Sequence, residues 1–369
     1  MNIHILNAFD TYEHRVDLLY HAFIKQGHCV KVWESDYRHI EKKYRDDEKT
    51  DFQFIHANAY KKNFSVQRLW SHYKLSKDVE KLLEQEAEQI DLLWVLIPPN
   101  SFAKAAAQLK RKYNHIKLVF DLIDLWPETM PIAKIKDFWP FSMWKGLRDN
   151  YLCEGDHIVT ECNLYRTVLQ KQLAQKECTT LYLARAVGEN VSVPNLPADR
   201  INLCYLGSIN NIIDIPAIER IVKKVIENIP VSLHIIGDGE KREELIETIQ
   251  STGADVVYHG KLYDKMDKQK VFDQCHYGLN IMKENVCVGL TMKSMDYFEA
   301  GLPIINNIHG DTWDAVKQEG IGINETDNFV EEILDLSIDR RRLARQFFEN
   351  NLSADCFERK VKEIVGEKK

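Results

Sequence analysis

Short apolar runs rich in β-branched residues alternate with helical patterns from one end of this chain to the other. That alternation narrows the fold to parallel sheets joined by crossover helices. In the first half, the predicted strands are Ile3–Leu6, Val30–Trp33, Leu92–Ile97, Lys117–Leu122, His157–Thr160 and Thr180–Leu183. Helices fit between them: Arg15–Gln26 stops at Gly27, and Phe102–Lys112 follows Ser101, a residue type suited to cap a helix. The second half repeats the rhythm with Asn202–Leu206, Ser232–Ile236, Val256–Tyr258, Gly278–Ile281 and Pro303–Asn306. Between the halves, Val187–Pro197 lacks periodicity and holds two prolines, so it reads as a linker. A chain of 369 residues also exceeds what a single core usually serves. The division expected is one doubly wound α/β domain over 1–190, a second over 200–350, and a last helical segment over 351–369.

Composition removes several function classes. Hydrophobic content of 44% with 28% charged residues describes a globular chain rather than a disordered one. A net charge of −7 gives no reason to expect nucleic acid as a partner. The start, Met1-Asn2-Ile3-His4-Ile5-Leu6, reads as a strand and not as a signal peptide, and no apolar run is long enough to span a bilayer. Eight cysteines without Cys-x-x-Cys spacing read as reduced, mostly buried thiols, which points to a cytoplasmic protein and to no metal site. A nicotinamide dehydrogenase is a poor reading: the turn Asn7–Tyr12 after the first strand contains no glycine, and Gly237-Asp238-Gly239 lacks the third glycine of the dinucleotide fingerprint.

The stretch Gly289-Leu290-Thr291-Met292-Lys293-Ser294-Met295-Asp296 carries the chemistry. It continues as Tyr297-Phe298-Glu299-Ala300-Gly301-Leu302-Pro303 into an apolar strand. Lys293 and Asp296 are three apart and share a helix face near its start. Unsatisfied N–H groups at such a start favour phosphate, Lys293 adds a full positive charge, and Asp296 can accept hydrogen bonds from ribose hydroxyls. The bland alternative is an ordinary helix–turn–strand unit.

This stretch resembles the donor-site signature of family 4 GT-B glycosyltransferases, G-L-P-S-K-L-x-E-Y-x-A-A-G-x-P-V-I, with Thr291 for the proline and Asp296 for the glutamate. Tyr205-Leu206-Gly207-Ser208, His234–Glu240 with Gly237, and Val257–Leu262 with Gly260, Lys261 and Leu262 resemble further donor-side turns of that family in order and spacing. The resemblance implies two Rossmann-like domains facing a central cleft, with the last helix, for which Cys356–Val365 is the candidate, returning to the first domain. It also implies donor contacts from Gly207, Ser208, Gly237, Gly260, Lys261, Leu262, Gly289, Leu290, Thr291, Lys293 and Asp296. Two departures stand out. The family glutamate eight residues before the ribose-binding acid is Val288 here, with Glu284 as a nearby substitute. The cations expected after the domain's first strand are missing from Ser208-Ile209-Asn210-Asn211-Ile212, which leaves Lys293, the helix start, and Lys261 or Arg185 to meet the leaving group's charge.

On the other side, Asp121-Leu122-Ile123-Asp124-Leu125-Trp126-Pro127-Glu128 resembles the D-x-x-D-L-W-P-E segment of capsule and exopolysaccharide transferases. It makes Asp124 and Glu128 candidate catalytic groups beside Lys293, though an aspartate there can equally cap its own turn. Ile123 replaces a histidine found in other members. His14 and Arg15 are candidate acceptor contacts together with Asp124. The segments Ser35-Asp36-Tyr37-Arg38-His39 and Tyr60–Arg68 resemble stretches of surface-polysaccharide transferases. Tyr60–Lys74 and Lys134–Arg148 interleave basic residues with aromatics, a pattern suited to an anionic membrane face; its ordinary alternative is aromatics in the core and solvated lysines.

The function these readings imply is metal-independent, retaining transfer of a sugar from an NDP-sugar, expected to be UDP-linked, to a lipid-linked oligosaccharide in surface polysaccharide assembly. The NDP-sugar is the donor substrate, and no cofactor is expected. Two alternatives stay open. One is a nucleotide-sugar epimerase with the same architecture, and the other is a non-catalytic glycosyltransferase-like partner subunit.

Overall fold

The computed structural model describes residues 1–63, 65–130, 139–188, 194, 196–284 and 286–366. The chain forms two compact units, Met1–Ala184 with Ala354–Lys369, and Arg185–Ser353. The chain leaves the first unit at Ala184, ahead of the stretch expected to link the domains. Arg185 already belongs to the second, because its amide donates to the Leu352 carbonyl at 3.0 Å and it bridges to Ser353.

The first unit is built on seven parallel strands: β1 (Asn2–Leu6), β2 (Cys29–Ser35), β3 (Phe52–Ile55), β4 (Leu92–Ile97), β5 (Lys117–Leu122), β6 (His157–Thr160) and β7 (Cys178–Thr180). Their order is β3-β2-β1-β4-β5-β6-β7, so the order reverses between β1 and β4. Side chains alternate across the sheet. In β4, Leu92, Trp94 and Leu96 face a layer made by helix α1 (Glu13–Lys25) and the C-terminal helix Ala354–Val365, through Val16, Leu19, Phe23, Phe357, Val361 and Ile364. Leu93, Val95 and Ile97 face the layer of α2 (Val66–Glu86) and α3 (Asn100–Lys112). Helix α4 (Trp139–Asp149) follows the Asp124–Thr129 corner.

Two local expectations change. Ser101 is not the cap of α3: the helix begins one residue earlier, and the Ser101 hydroxyl lies inside it at 2.5 Å from that of Ser76. The edge strand β3 has only half-buried residues before Ile55, so its sequence carries little periodic signal.

The second unit holds six parallel strands: β8 (Ile201–Leu206), β9 (Val231–Ile236), β10 (Asp255–Gly260), β11 (Tyr277–Asn280), β12 (Ile304–Asn306) and β13 (Gly322–Asn324), in the order β10-β9-β8-β11-β12-β13. Helix α5 (Ile215–Ile226) seals one face with Ile218, Ile221, Val222 and Val225. On the other face, α6 (Met292–Glu299) packs with α7 (Arg340–Asn351), where Phe298 meets Phe347 edge to face at 5.4 Å. Both units are thus doubly wound, and in each the reversal of strand order opens at the carboxyl edge.

A buried ion pair fixes the first unit's core. Arg15 Nε and Nη2 donate to the two oxygens of Asp121 at 3.0 and 2.7 Å, and both residues are fully buried. Trp94 Nε1 adds a bond to Asp121 at 2.9 Å, and Arg15 Nη1 donates to the Leu181 carbonyl at 2.6 Å. Breaking one side of such a pair leaves an uncompensated buried charge. Arg15→Met is expected to lower unfolding stability by about 3–5 kcal/mol in urea titrations. The double variant Arg15→Met with Asp121→Leu should recover much of that loss.

Candidate active site

Four loops meet at the carboxyl edge of the second sheet. Gly207 follows β8 with φ +121°, Gly237 follows β9 with φ +143°, and Gly260 ends β10 with φ +70°. The Gly207 amide bonds to the Ile236 carbonyl at 2.9 Å, and the Gly237 amide to the Gly260 carbonyl at 2.8 Å. A Cβ at Gly237 would lie 1.9 Å from the Gly207 carbonyl oxygen, so only glycine permits this stacking of turns. At Gly207 and Gly260 the space around a Cβ is open, and Ser208 is exposed beside it. Leu262 is half-buried, and Lys261 is exposed with its nearest carboxylate, Asp238, at 3.7 Å.

The fourth loop leads into α6. Gly289 is held by Thr312, whose amide and hydroxyl reach its carbonyl at 3.1 and 2.6 Å. Leu290 is half-buried, and Thr291 caps α6 by accepting from the Ser294 amide at 3.1 Å. The Thr291 hydroxyl also donates to Asn280 Oδ1 at 2.8 Å, at the end of β11. From there a row of buried amides crosses the sheet: Asn280 Nδ2 donates to Asn306 Oδ1 at 2.9 Å, and Asn306 Nδ2 to Asn324 Oδ1 at 2.8 Å. Tyr297 fastens the other side of the helix. Its hydroxyl donates to the Cys204 carbonyl at 3.0 Å and accepts from the Leu206 amide at 2.8 Å. A Cβ on Gly278 would meet the Tyr297 ring at 2.7 Å, so this glycine makes room for the ring.

Lys293 stands one residue inside α6, half-buried, with its ammonium 4.7 Å from the centroid of the Tyr205 ring. It has no carboxylate partner among the described residues. Burial lowers its pKa to about 8, the mark of a cation lacking a counter-charge. Asp296 is differently placed from a free ribose-binding acid. Its Oδ1 accepts from Arg185 at 2.8 Å and from Lys268 at 3.2 Å, and Arg185 also pairs with Glu299 at 3.1 Å. Arg185 is therefore already neutralised by two carboxylates, and of the cations considered for an anionic leaving group Lys293 is the one without a counter-charge. Val288 is half-buried, and Glu284 is exposed in a turn four residues before it.

The candidates of the first unit have other employment. Arg15 is a correction: it is fully buried in the Asp121 pair, so it cannot touch a ligand. His14 is exposed, and its Nε2 lies 2.8 Å from the Ala184 carbonyl. Asp124 serves its own corner: it accepts from the Leu125 amide at 2.7 Å, Trp126 Nε1 at 2.6 Å, Thr129 Oγ1 at 2.6 Å and Tyr12 Oη at 3.5 Å. Burial raises its pKa against the pull of those donors. Glu128 faces the fully buried Arg148 at 2.9 and 3.1 Å and Lys145 at 3.1 Å. Burial pushes its pKa up, but the Arg148 hydrogen bonds and charge outweigh this and hold it below the ordinary carboxylate range. Lys134, Lys136, Phe138 and Phe64 of the two basic–aromatic segments lie outside the described residues. Arg68, Tyr60, Trp144 and Arg148 are buried rather than at the surface. The exposed remainder includes Lys61, Lys62, Val66, Trp70, Tyr73 and Lys74, with Trp139 and Met143 on α4. None of the described helices is long and apolar enough to cross a membrane.

Residues missed by sequence reasoning are Tyr297, Asn280 and Asn306, whose roles depend on long-range pairings, and Tyr205, whose ring lies under the Lys293 ammonium.

Comparison with known proteins agrees with this fold. No curated protein matches the sequence. The lipopolysaccharide outer core galactosyltransferase WaaB in its apo form superposes over 100% of both chains with a TM-score of 0.68 at 11% identity. Anabaena HepE in complex with UDP does so over 100% of both chains with a TM-score of 0.66 at 11% identity. Sucrose-phosphate synthase from Thermosynechococcus elongatus matches 99% of this chain and 98% of its own with a TM-score of 0.66 at 12% identity. Residues 200–339 match the family model described as glycosyl transferases group 1. The second unit thus carries a glycosyltransferase domain, and the chain as a whole has the GT-B fold.

Proposed function

We propose that this chain transfers a sugar from a UDP-sugar to a lipid-linked oligosaccharide at an anionic membrane face of the cytoplasm, as a step in capsule or exopolysaccharide assembly. The observation that carries the reading is Lys293, a half-buried cation without a counter-charge at the capped start of α6. A diphosphate there would gain the ammonium and the free amides of the helix start together. As the sugar leaves, charge grows on the diphosphate, and fixed donors that need no reorganisation stabilise it. Asp296, steadied by Arg185 and Lys268, keeps a second carboxylate oxygen for ribose hydroxyls. HepE has been solved with UDP and with UDP-glucose, which supports UDP as the nucleotide. WaaB, named as a lipopolysaccharide galactosyltransferase, supports a glycolipid acceptor. Retention of configuration and independence from metal follow the resemblance of the donor-site signature.

The membrane part rests on exposed apolar side chains. Val66, Trp70 and Tyr73 recur along one face of α2, with Val66 82% and Trp70 59% exposed, and Trp139 on α4 is 70% exposed. Lys61, Lys62 and Lys74 stand beside the first group, the combination that holds a protein at a headgroup layer.

A partner subunit without chemistry is the second reading. It draws on Val288 and on the absence of cations after Gly207, and it predicts UDP binding with neither donor hydrolysis nor transfer.

The Lys293 reading is checked by calorimetry. A bound diphosphate raises the pKa of the ammonium, so UDP affinity should fall as pH rises through about 8, where free Lys293 loses its proton. Lys293→Met should remove that slope and weaken UDP binding by about 1–3 kcal/mol at neutral pH, leaving uridine unaffected. Asp296→Ala should weaken UDP and uridine alike. A slope that survives in Lys293→Met would reject the lysine as a phosphate contact.

Donor hydrolysis and transfer should continue in excess EDTA. Complete loss restored by Mg²⁺ would hand the phosphates to a metal ion instead.

Full-length protein is expected to co-sediment with anionic vesicles at low salt and to leave them at about 0.5 M salt. Trp70→Ser with Trp139→Ser should reduce binding without altering the melting temperature. Indifference of the wild type to anionic vesicles at any salt would point to a soluble acceptor.

A further inference from the structure

Among the described residues of the first unit, three arginines are buried, and their surroundings differ. Arg15 and Arg148 each meet carboxylates. Arg68, 5% exposed, meets none: Nη1 donates to the Asn63 carbonyl at 3.0 Å, while Nε and Nη2 have no hydrogen-bond partner. Its guanidinium lies 4.4 Å from the centroid of the Trp126 ring, with the Phe9 and Tyr60 rings at 5.5 and 5.7 Å. Ring contacts attract the guanidinium, but they do not replace missing hydrogen bonds to a buried cation.

The neighbours are basic as well. Lys42 Nζ donates to Asn63 Oδ1 at 2.6 Å and stands 3.4 Å from His39 Nδ1. Both ring nitrogens of buried His72 lack hydrogen-bond partners among the described residues. The two nearby acids are taken: Asp10 by the His39 and Ile40 amides at 2.9 and 3.1 Å, and Asp124 by its corner. Burial, with the Arg68 charge next, lowers the pKa of Lys42 and holds His39 at about 4. Asp10 and Asp124 thus act on Lys42 and Arg68 only at longer range, and neither cation has a carboxylate within ion-pair distance among the described residues.

Asn63 sits over this cluster, exposed and outside any helix or strand. It gives its carbonyl oxygen to Arg68 and its side-chain oxygen to Lys42, two neutral acceptors where charged oxygens would bind more strongly. The loops involved follow β1, β2, β3 and β5, at the carboxyl edge where doubly wound sheets take ligands.

We propose that Arg68 and Lys42 form a subsite for an anionic group of the acceptor, a carboxylate or a phosphate, whose oxygens displace those of Asn63. This rests on the first unit being the acceptor side, and it adds that the acceptor must be charged. A neutral saccharide has nothing to offer Arg68 that Asn63 does not already supply.

The test uses the full-length protein with saturating UDP, and calorimetry with three probes: sodium pyrophosphate, sodium glucuronate and neutral glucose. Pyrophosphate or glucuronate should bind and glucose should not; the better anion tells a phosphate source from an acidic sugar. Arg68→Met should weaken the anion at least about tenfold, while Lys293→Met leaves it unchanged. Asn63→Asp, at an exposed position, places a carboxylate on Lys42 from within. It should raise the melting temperature of the free protein and weaken the anion by about tenfold. Should Arg68→Met not fold, Asn63→Asp decides the matter. Failure of both anions to bind the wild type, or equal binding to Asn63→Asp and the wild type, overturns the subsite. UDP binding is read separately, so loss of the donor assignment is a different result.

Discussion

A row of buried amides sets the position of the helix that carries Lys293 and Asp296. Asn280, Asn306 and Asn324 sit at one level of three adjacent parallel strands, in register with one another. Each spends its amide donor on the next, the last on the Trp313 carbonyl, and Thr291 closes the near end with its hydroxyl. In a low-dielectric interior such a chain is strong when complete and costly when broken. A slip of one residue in any of the strands would turn its amide to the opposite face and orphan its neighbour. Strand register and the start of α6 are therefore one constraint. Through that start, the ammonium of Lys293 is held against the Tyr205 ring rather than left to wander in solvent.

The first unit handles charge by two contrasting rules. At Arg15 and Arg148 each buried guanidinium is matched to carboxylates, and those pairs define the packing of the core and of the Asp124–Glu128 corner. At Arg68 the match is withheld, and aromatic rings and a loop carbonyl stand in for it. Interiors rarely tolerate an unmatched cation, because desolvation is then uncompensated. The difference separates residues that hold the fold from one that is kept at a cost to stability.

Much of the fold was legible because parallel sheets buried on both faces write continuous apolar runs, and β1, β4, β8 and β9 are such runs. The local geometry of the Gly289–Asp296 stretch was legible because its parts are close in sequence: cap, lysine and acid lie within one turn and a half of helix, and Thr291, Lys293 and Asp296 sit where helical geometry puts them. What the sequence hid was non-local. Arg15 read as a ligand contact because nothing near it in sequence announces Asp121, and Glu128 read as a catalytic candidate because Arg148 reaches it only in the folded chain, whereas the turn-capping alternative for Asp124 rests on local donors. The strand Phe52–Ile55 was missed because an edge strand with half-buried side chains lacks a clear period. Asp296 was found, but its partners Arg185 and Lys268 come from elsewhere in the unit.

The C-terminal helix has a consequence for how the molecule is made. Phe357, Val361 and Ile364 complete the layer over Val16, Leu19 and Phe23, so helix α1 waits for residues made more than three hundred positions later. The second unit, contiguous from Arg185 to Ser353, can close on itself during synthesis, whereas the first must keep an apolar face uncovered until Ala354–Val365 has been made. A nascent chain therefore carries an uncovered apolar face on its first unit while the second is being made, the interval over which a holdase chaperone would have most to shield.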